Sequence, residues 1–173
     1  MDITVELGDI TTIEVDAIVN AANSTLMGGG GVDGAIHGAA GPDLLEACRT
    51  IRVSTHPNGL EVGDAVATPG FELPAKWIIH TVGPNRHAGQ TDPELLASCF
   101  SRSLDVADDL GVESIAFPAV SAGIYGWDGD DVARIGVSSV LDWAGEHEDS
   151  TVQSAQFVLF SDALLRAFTR ALG

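Results

Sequence analysis

Basic residues are scarce in this chain. Lysine and arginine number 8 among 173 residues, against 25 aspartates and glutamates, so the formal net charge is −17 at pH 7. Contact with a nucleic-acid backbone requires a basic surface, and binding to nucleic-acid backbones is therefore not expected. The acid excess fits an ordinary acidic surface or adaptation to high salt. Because Lys76 is the only lysine, we favour a halophilic protein.

Long apolar runs are also missing from the sequence. No apolar run approaches the roughly 20 residues that a membrane helix requires, so no membrane association is expected. The first residues, MDITVELGDI, carry neither a basic region nor a long apolar stretch. We therefore expect no signal peptide and a cytoplasmic protein.

Residues that typically bind metals or form disulfides are few and poorly spaced. The two cysteines, Cys48 and Cys99, lie far apart in helix-like segments, and buried free thiols are favoured over a disulfide. The five histidines show none of the spacings typical of metal ligands, and His80 lies inside a predicted strand as a core residue. No metal and no cofactor are expected.

Apolar strands alternate with amphipathic helices along the whole chain. Six strands are predicted over residues 3–7, 17–19, 65–67, 77–82, 114–117 and 156–160. Helices are predicted over residues 34–40, from 42, from 92 to 110, over 128–144 and over 162–172. In the fourth helix, Ala133, Val137, Val140, Leu141 and Ala144 are expected on one buried face.

This alternation predicts the class and the layers of the fold. We expect an α/β protein, a three-layer α/β/α sandwich with a mixed, largely parallel central sheet of about six strands. Residues 1–173 are expected to form a single domain. Ligands of such sheets bind beyond the carboxyl ends of the strands.

Two glycine-bearing loops follow predicted strands. The first contains four consecutive glycines, Gly28 to Gly31, and the second reads SAGIYG from Ser121 to Gly126. Loops of small residues that lead into helices turn their backbone N–H groups toward one point and can hold an anion. Neither loop contains lysine or arginine, so backbone amides would have to hold a phosphate. On spacing alone, two tight turns are an equal alternative.

Polar residues surround the first loop. Asn20 and Asn23 follow an apolar strand, and Asp33 and His37 are four residues apart, on one face of a helix. Such a pair could orient a water molecule or move a proton. A capping aspartate with a hydrogen-bonded histidine is the alternative, and spacing alone favours it. A serine-hydrolase triad through Ser121 is not favoured, since no G-x-S-x-G motif is present.

Four ordered motifs resemble those of the macrodomain family, with the closest similarity to its MacroD-type branch. They read VELGDIT, DAIVNAANSTLMGGGGVDGAIHGAAGP, GDAVATPGFELPAKWIIHTVGP and SIAFPAVSAGIYGW, and the resemblance runs from about residue 3 to residue 145. It implies one macrodomain over residues 1–173 that takes ADP-ribose or its derivatives, with mono-ADP-ribosylated proteins as partners.

The activity that the resemblance implies is metal-independent hydrolysis of the ester at C1″ of the distal ribose. Its substrates would be mono-ADP-ribosyl aspartate or glutamate in proteins and O-acetyl-ADP-ribose. A non-catalytic ADP-ribose-binding module and an ADP-ribose-1″-phosphate phosphatase are the alternatives. An RNA-binding or scaffolding domain disagrees with the net charge.

The resemblance also implies roles for individual residues. Asn23 would position the distal ribose, Asp33 would orient or deprotonate the attacking water, and His37 would support Asp33. Asp9 and the N–H of Ile10 would bind adenine, and Phe160 would stack on it, with Phe168 as a second choice. The ribose and diphosphate would be bound by residues at the end of the second predicted strand and in the two loops: Asn20, Gly29, Gly30, Gly31, Val32, Ser121, Ala122, Gly123, Ile124 and Tyr125.

Overall fold

The central element is a six-stranded sheet, seen in a computed structural model that describes all 173 residues. The strands are β1 (Asp2–Leu7), β2 (Ala17–Ala22), β3 (Ala65–Pro69), β4 (Trp77–Val82), β5 (Ser114–Phe117) and β6 (Ser154–Leu159). The helices are α1 (Gly31–Ala40), α2 (Asp43–Ser54), α3 (Pro93–Asp109), α4 (Gly129–Glu146) and α5 (Asp162–Leu172). Two 3₁₀ helices, Ile10–Thr12 and Arg86–Ala88, follow β1 and β4.

The sheet is mixed and largely parallel, as the sequence predicts. Its strand order is β1-β6-β5-β2-β4-β3, and β3 alone runs antiparallel to its neighbour. Because successive residues of a strand point to opposite faces, the strands contribute side chains to a core on each face of the sheet. Ile78 packs in a core with α1 and α2, while the next residue, Ile79, packs in a larger core with α3, α4 and α5. The three-layer α/β/α sandwich is therefore confirmed.

Local signals account for where several helices begin. α3 begins at Pro93 because the Asp92 carboxylate accepts a hydrogen bond from the N–H of Glu94, and proline is well suited to a first turn. The Ser161 hydroxyl caps α5 by accepting from the N–H of Leu164. α1 has no side-chain cap and begins at Gly31, three residues earlier than predicted.

One predicted core position is wrong. Leu141 in α4 is 48% exposed, whereas Trp143, which the pattern did not select, is 3% exposed. The buried face of α4 is centred on Gly136, Val140 and Trp143, and Leu141 lies about 100° from Val140 around the helix. The other predicted residues of this face, Ala133, Val137 and Val140, are buried, and Ala144 is half-buried.

Both cysteines are buried free thiols, as expected from the sequence. Burial raises the pKa of Cys48 and that of Cys99 to about 11, so both thiols are neutral at physiological pH. None of the five helices has the length and apolar character needed to cross a bilayer.

Most of the acidic surface has no basic partner. Arginine contacts within 4.0 Å involve only Glu46, Asp64, Asp105, Asp130 and Asp131 among the 25 acidic residues. Exposed pairs of this kind stabilise a protein by about 0–1 kcal/mol each. Repulsion among the remaining carboxylates therefore opposes folding at low salt.

The folded state should become more stable as salt rises. Between 0.1 M and 1 M KCl the screening length falls from about 10 Å to about 3 Å, and the thermal midpoint should rise by about 5 °C or more. A variant carrying Glu148→Gln and Asp149→Asn, two exposed positions after α4, should depend less on salt. Calorimetry measures both, and a midpoint that does not respond to KCl would contradict the account.

Candidate functional site

A cavity of about 520 Å³ lies beyond the carboxyl ends of β2, β4, β5 and β6, at the edge where ligands bind in open α/β sheets. A second cavity, of about 430 Å³, is lined by side chains of α3 and α4 and contains neither glycine loop. The lining of the first cavity comes from both glycine loops and from the strand ends: Ala21, Ala22, Asn23, Gly29, Gly30, Gly31, Val32, Asp33, Gly83, Pro118, Ala119, Ser121, Gly123, Ile124, Tyr125 and Phe160.

The first loop brings its backbone close to two polar side chains. A Cβ at Gly29 would lie 3.2 Å from Asp33 Oδ2 and 3.3 Å from Asn23 Nδ2, so glycine permits this approach. The amide of Asn23 donates to the carbonyl of Gly28 at 3.0 Å and fixes the start of the loop. The N–H groups of residues 29–32 donate no hydrogen bond within the chain. Together with the N-terminus of α1, they form a set of donors suited to an anion.

The second loop is held in place by the segment that follows β4. Ser121 has a φ of 69°, an uncommon conformation for a residue with a side chain. Its hydroxyl donates to the carbonyl of Pro84 at 2.9 Å, and the N–H of Arg86 donates to the carbonyl of Tyr125 at 2.9 Å. The N–H groups of residues 123–125 donate no hydrogen bond within the chain, so the second loop presents further donors.

Asp33 is the single charged residue of the cavity wall. It is 4% exposed, and its Oδ1 accepts from Asn20 Nδ2 at 2.8 Å and lies 3.5 Å from His37 Nε2. Burial raises the pKa of the Asp33 carboxyl, and the Asn20 hydrogen bond and the nearby His37 oppose that rise. Its Oδ2 accepts no hydrogen bond within the chain, which leaves that oxygen free for a water molecule or a ligand.

The two aromatic residues predicted for stacking, Phe160 and Phe168, lie in different environments. Phe160 follows β6, lines the cavity and is 73% exposed, whereas Phe168 is a fully buried residue of α5 in the larger core. Phe168 cannot contact a ligand in this cavity, so the second choice is wrong.

Asp9 and Ile10 lie outside the cavity wall, just beyond the end of β1. The pairing of Leu7 with Leu159 brings this segment to the same sheet edge as Phe160. Asp9 Oδ1 accepts from the N–H and the hydroxyl of Thr11, which lowers the pKa of Asp9 and keeps the carboxylate ionised. Asp9 Oδ2 makes no hydrogen bond in the chain and can accept one from a ligand.

Three other predicted site residues do not line the cavity. His37 lies behind Asp33, and the N–H of Ala122 donates to the carbonyl of Ala119 within the loop. Asn20 is fully buried, and its side chain contacts Asp33 and His80 instead of facing the cavity. His80 is a buried, hydrogen-bonded core residue, as the sequence predicts.

Sequence reasoning missed the part of the wall that carries no polar side chain. Gly83, Pro118 and Ala119 line the cavity directly after β4 and β5. Their positions could have been predicted, since each follows an apolar strand whose carboxyl end meets the site. They were missed because their small side chains carry no polar group that would indicate a binding site.

A family model described as "Macro domain" matches residues 19–136 of the chain. A "Macro domain-containing protein in non 5'region" of Streptomyces griseus is 56% identical over 153 residues, covering 88% of this chain and 84% of the relative. A macro domain-containing protein of Methanosarcina mazei is 54% identical over 142 residues, covering 82% of this chain and 73% of the relative.

Solved structures of similar proteins agree with these matches. The Oceanobacillus iheyensis macrodomain with ADP has a TM-score of 0.90 and 39% identity, covering 97% of this chain and 88% of that one. The Trypanosoma brucei macrodomain in complex with ADP-ribose has a TM-score of 0.90 and 36% identity, covering 99% of this chain and 69% of that one.

A side chain at Gly83 should displace the second loop. A Cβ there would overlap Ser121 Oγ and lie 2.8 Å from Val120 Cγ1. We expect Gly83→Ala to reduce the free energy of unfolding by about 1–3 kcal/mol, as overpacking does. Gly123→Ala is the matched control, since its Cβ would meet nothing within 4 Å. Denaturant unfolding measures both, and equal stabilities would contradict the packing.

Proposed function

The chain belongs to the macro domain family, and on that basis we propose that it binds ADP-ribose and hydrolyses the ester at C1″ of the distal ribose. The products are ADP-ribose and a carboxylic acid, which is a protein aspartate or glutamate or, for O-acetyl-ADP-ribose, acetate. Complexes of the Oceanobacillus macrodomain with ADP and of the Trypanosoma macrodomain with ADP-ribose support ADP-ribose as the proposed ligand. The observation that carries the hydrolase is the buried Asp33 carboxylate, whose free oxygen lies in a cavity between two loops of unpaired amides.

The diphosphate is bound by main-chain donors in this proposal. No lysine or arginine lines the cavity, so phosphate charge has no cationic side chain to pair with there. The free N–H groups of residues 29–32 and 123–125 supply donors from two sides, and the N-terminal dipole of α1 adds to them. Bulky side chains in the first loop would keep these amides away from the phosphates.

Adenine lies at the β1–β6 edge in this proposal. Asp9 Oδ2 accepts a hydrogen bond from the adenine amino group, and the N–H of Ile10, which is unpaired within the chain, donates to the ring. Phe160 stacks on the adenine face, which explains why a large apolar side chain is left exposed at this point.

Hydrolysis uses the opposite end of the cavity. Asn23 positions the distal ribose, and Asp33 accepts a proton from a water molecule whose oxygen bonds to the acyl carbon of the ester. When the bond between that carbon and the ribose oxygen breaks, the proton passes from Asp33 to the departing ribose oxygen, which gives ADP-ribose and the carboxylic acid. His37, 3.5 Å from Asp33, stabilises the ionised carboxylate. No metal enters this scheme.

The remaining features of the proposal concern the whole chain. Residues 1–173 form one macrodomain of the MacroD type, and the protein acts in a high-salt cytoplasm. The net charge of −17 and the single lysine support the proposed high-salt environment. The presence of all six strands in one sheet supports the single domain.

Asp33→Ala should separate binding from turnover. Loss of the general base should lower turnover at least about 100-fold, while affinity for ADP-ribose survives because the main-chain donors are unchanged. Release of ADP-ribose from glutamate-linked ADP-ribosyl protein and from O-acetyl-ADP-ribose, measured in high salt, gives the rate. Calorimetry gives the affinity, and Asp109→Ala, an exposed position at the end of α3, is the control.

The possible results distinguish the candidate functions. Full activity in Asp33→Ala would remove that residue from the mechanism. Binding by the wild type without turnover would indicate a non-catalytic module, and release of phosphate from ADP-ribose-1″-phosphate would indicate a phosphatase. No heat of association with ADP-ribose at any salt concentration would refute the whole proposal.

The pH dependence of turnover should reflect the buried carboxyl. Because burial raises the pKa of Asp33, the acidic limb of kcat/KM should lie at higher pH than an ordinary aspartate gives. The rate should fall as pH drops through that pKa, since the protonated acid cannot accept a proton from water. A profile flat down to the usual aspartate range would contradict the assignment of Asp33 as the base.

A further inference from the structure

Three polar side chains lie in a row across the sheet behind the cavity. Asn20 in β2, His80 in β4 and Thr68 in β3 are each at most 2% exposed. Asn20 pairs with His80 across β2 and β4, and Thr68 is on the adjacent strand β3. Polar groups buried so deeply in a sheet otherwise packed with apolar residues require hydrogen-bond partners.

The row forms one chain of contacts that ends at Asp33. Thr68 Oγ1 lies 2.9 Å from His80 Nε2, and His80 Nδ1 lies 3.1 Å from Asn20 Nδ2. The same Asn20 Nδ2 donates to Asp33 Oδ1 at 2.8 Å. Both protons of one amide nitrogen are therefore used, one toward His80 and the other toward Asp33.

Donor and acceptor chemistry fixes the protonation of His80. An amide nitrogen can only donate, so His80 Nδ1 must accept, and the ring proton lies on Nε2 and points to Thr68 Oγ1. A proton on both ring nitrogens would place two donors face to face. Burial acts in the same direction, since it lowers the pKa of His80 to about 3 and keeps the ring neutral.

The oxygen of the Asn20 amide makes no hydrogen bond. This atom, Oδ1, is buried. Rotating the amide by 180° would therefore lose no bond at the oxygen, and it would turn an acceptor toward the Asp33 carboxylate. The Asp33 carboxylate and the acceptor at His80 Nδ1 together oppose this rotation, because both need the Nδ2 donor in its present place.

We propose that His80 is a positioning residue for Asp33, acting through the Asn20 amide, with Thr68 accepting from His80 Nε2 and holding the ring in place. By accepting from Asn20 Nδ2, the imidazole keeps that amide donating to Asp33 Oδ1, which holds Oδ2 of the same carboxylate toward the cavity. The inference rests on the proposed hydrolysis for its effect on rate, but the hold on the carboxylate exists with or without turnover.

Two amide substitutions at position 80 test whether the site needs an acceptor beside Asn20 or merely a polar side chain. His80→Asn can place an oxygen where Nδ1 stands and keep the acceptor, whereas His80→Gln places its amide near Thr68 and leaves no acceptor beside Asn20. We expect His80→Gln to lower kcat about 10- to 100-fold, because small misplacements of reacting groups have such effects. KM should stay within about twofold, and His80→Asn should recover kcat to within about threefold of the wild type.

The acidic limb of the rate profile gives a second readout. Since the Asn20 bond lowers the pKa of Asp33, losing it should raise that pKa and move the limb to higher pH in His80→Gln, but not in His80→Asn. The other titratable groups around the carboxylate are His37 of α1, Cys48 of α2 and Tyr125 of the second loop. They are the same in both variants.

Nuclear magnetic resonance tests the row without any substrate. In the wild type, the nitrogen shifts of His80 should report a neutral ring with its proton on Nε2 from pH 5 to pH 8. The carboxyl carbon of Asp33 should titrate at higher pH in His80→Gln and at the wild-type pH in His80→Asn. If the wild type hydrolyses no substrate but these shifts are found, the proposed function fails and the positioning role stands.

The proposal is overturned by a proton on His80 Nδ1 in the wild type, or by His80→Gln behaving like His80→Asn in kcat and in the Asp33 titration. If His80→Gln does not fold, Thr68→Val replaces it, because that variant keeps the shape of the side chain and removes the acceptor for His80 Nε2. Without this partner the His80 ring should be held less firmly, and the Asp33 titration should move to higher pH, as in His80→Gln. An unchanged titration would refute the role of Thr68.

Discussion

Keeping an aspartate inside the protein next to a cavity is the constraint that organises this site. Asp33 is almost fully buried, and an ionised carboxylate there is stable only if donors replace the water it has lost. Asn20 and His37 contact one oxygen, and the other faces the cavity. The glycine loop passes so close to that second oxygen that a Cβ at Gly29 would lie 3.2 Å from it. The packing around Asp33 therefore favours glycine at position 29, independently of any ligand.

The proposed binding of a diphosphate by a strongly acidic protein raises a second electrostatic problem. A net charge of −17 repels phosphate at long range, and no lysine or arginine lines the cavity. Backbone N–H groups act at hydrogen-bond distance, where added salt screens little, whereas the long-range repulsion is screened strongly. High salt should therefore weaken the long-range repulsion and leave the short-range hydrogen bonds, which favours the proposed binding at high ionic strength.

The sequence predicts features that depend on neighbouring residues far better than features that depend on contacts across the fold. All six strands and the Asp92 cap follow from local patterns, and the two loops follow from glycine spacing. The pairing of Asp33 with His37 follows from a helical turn. The orientation of Asn20 could not be predicted, since it depends on Asp33 and on the pairing of β2 with β4. Likewise, Ser121 reaches Pro84 across 37 residues of chain.

Each of the two glycine loops is anchored by a side-chain hydrogen bond within the protein. An unsupported loop would lose its freedom only on binding, and that loss would weaken the affinity. In this fold, Asn23 ties down the carbonyl of Gly28, and the Ser121 hydroxyl ties the second loop to Pro84. Two side chains thus fix the two loops while leaving the amides between the anchors unpaired. Loops anchored in this way, with donors left unpaired, would lose little conformational entropy on binding the proposed diphosphate.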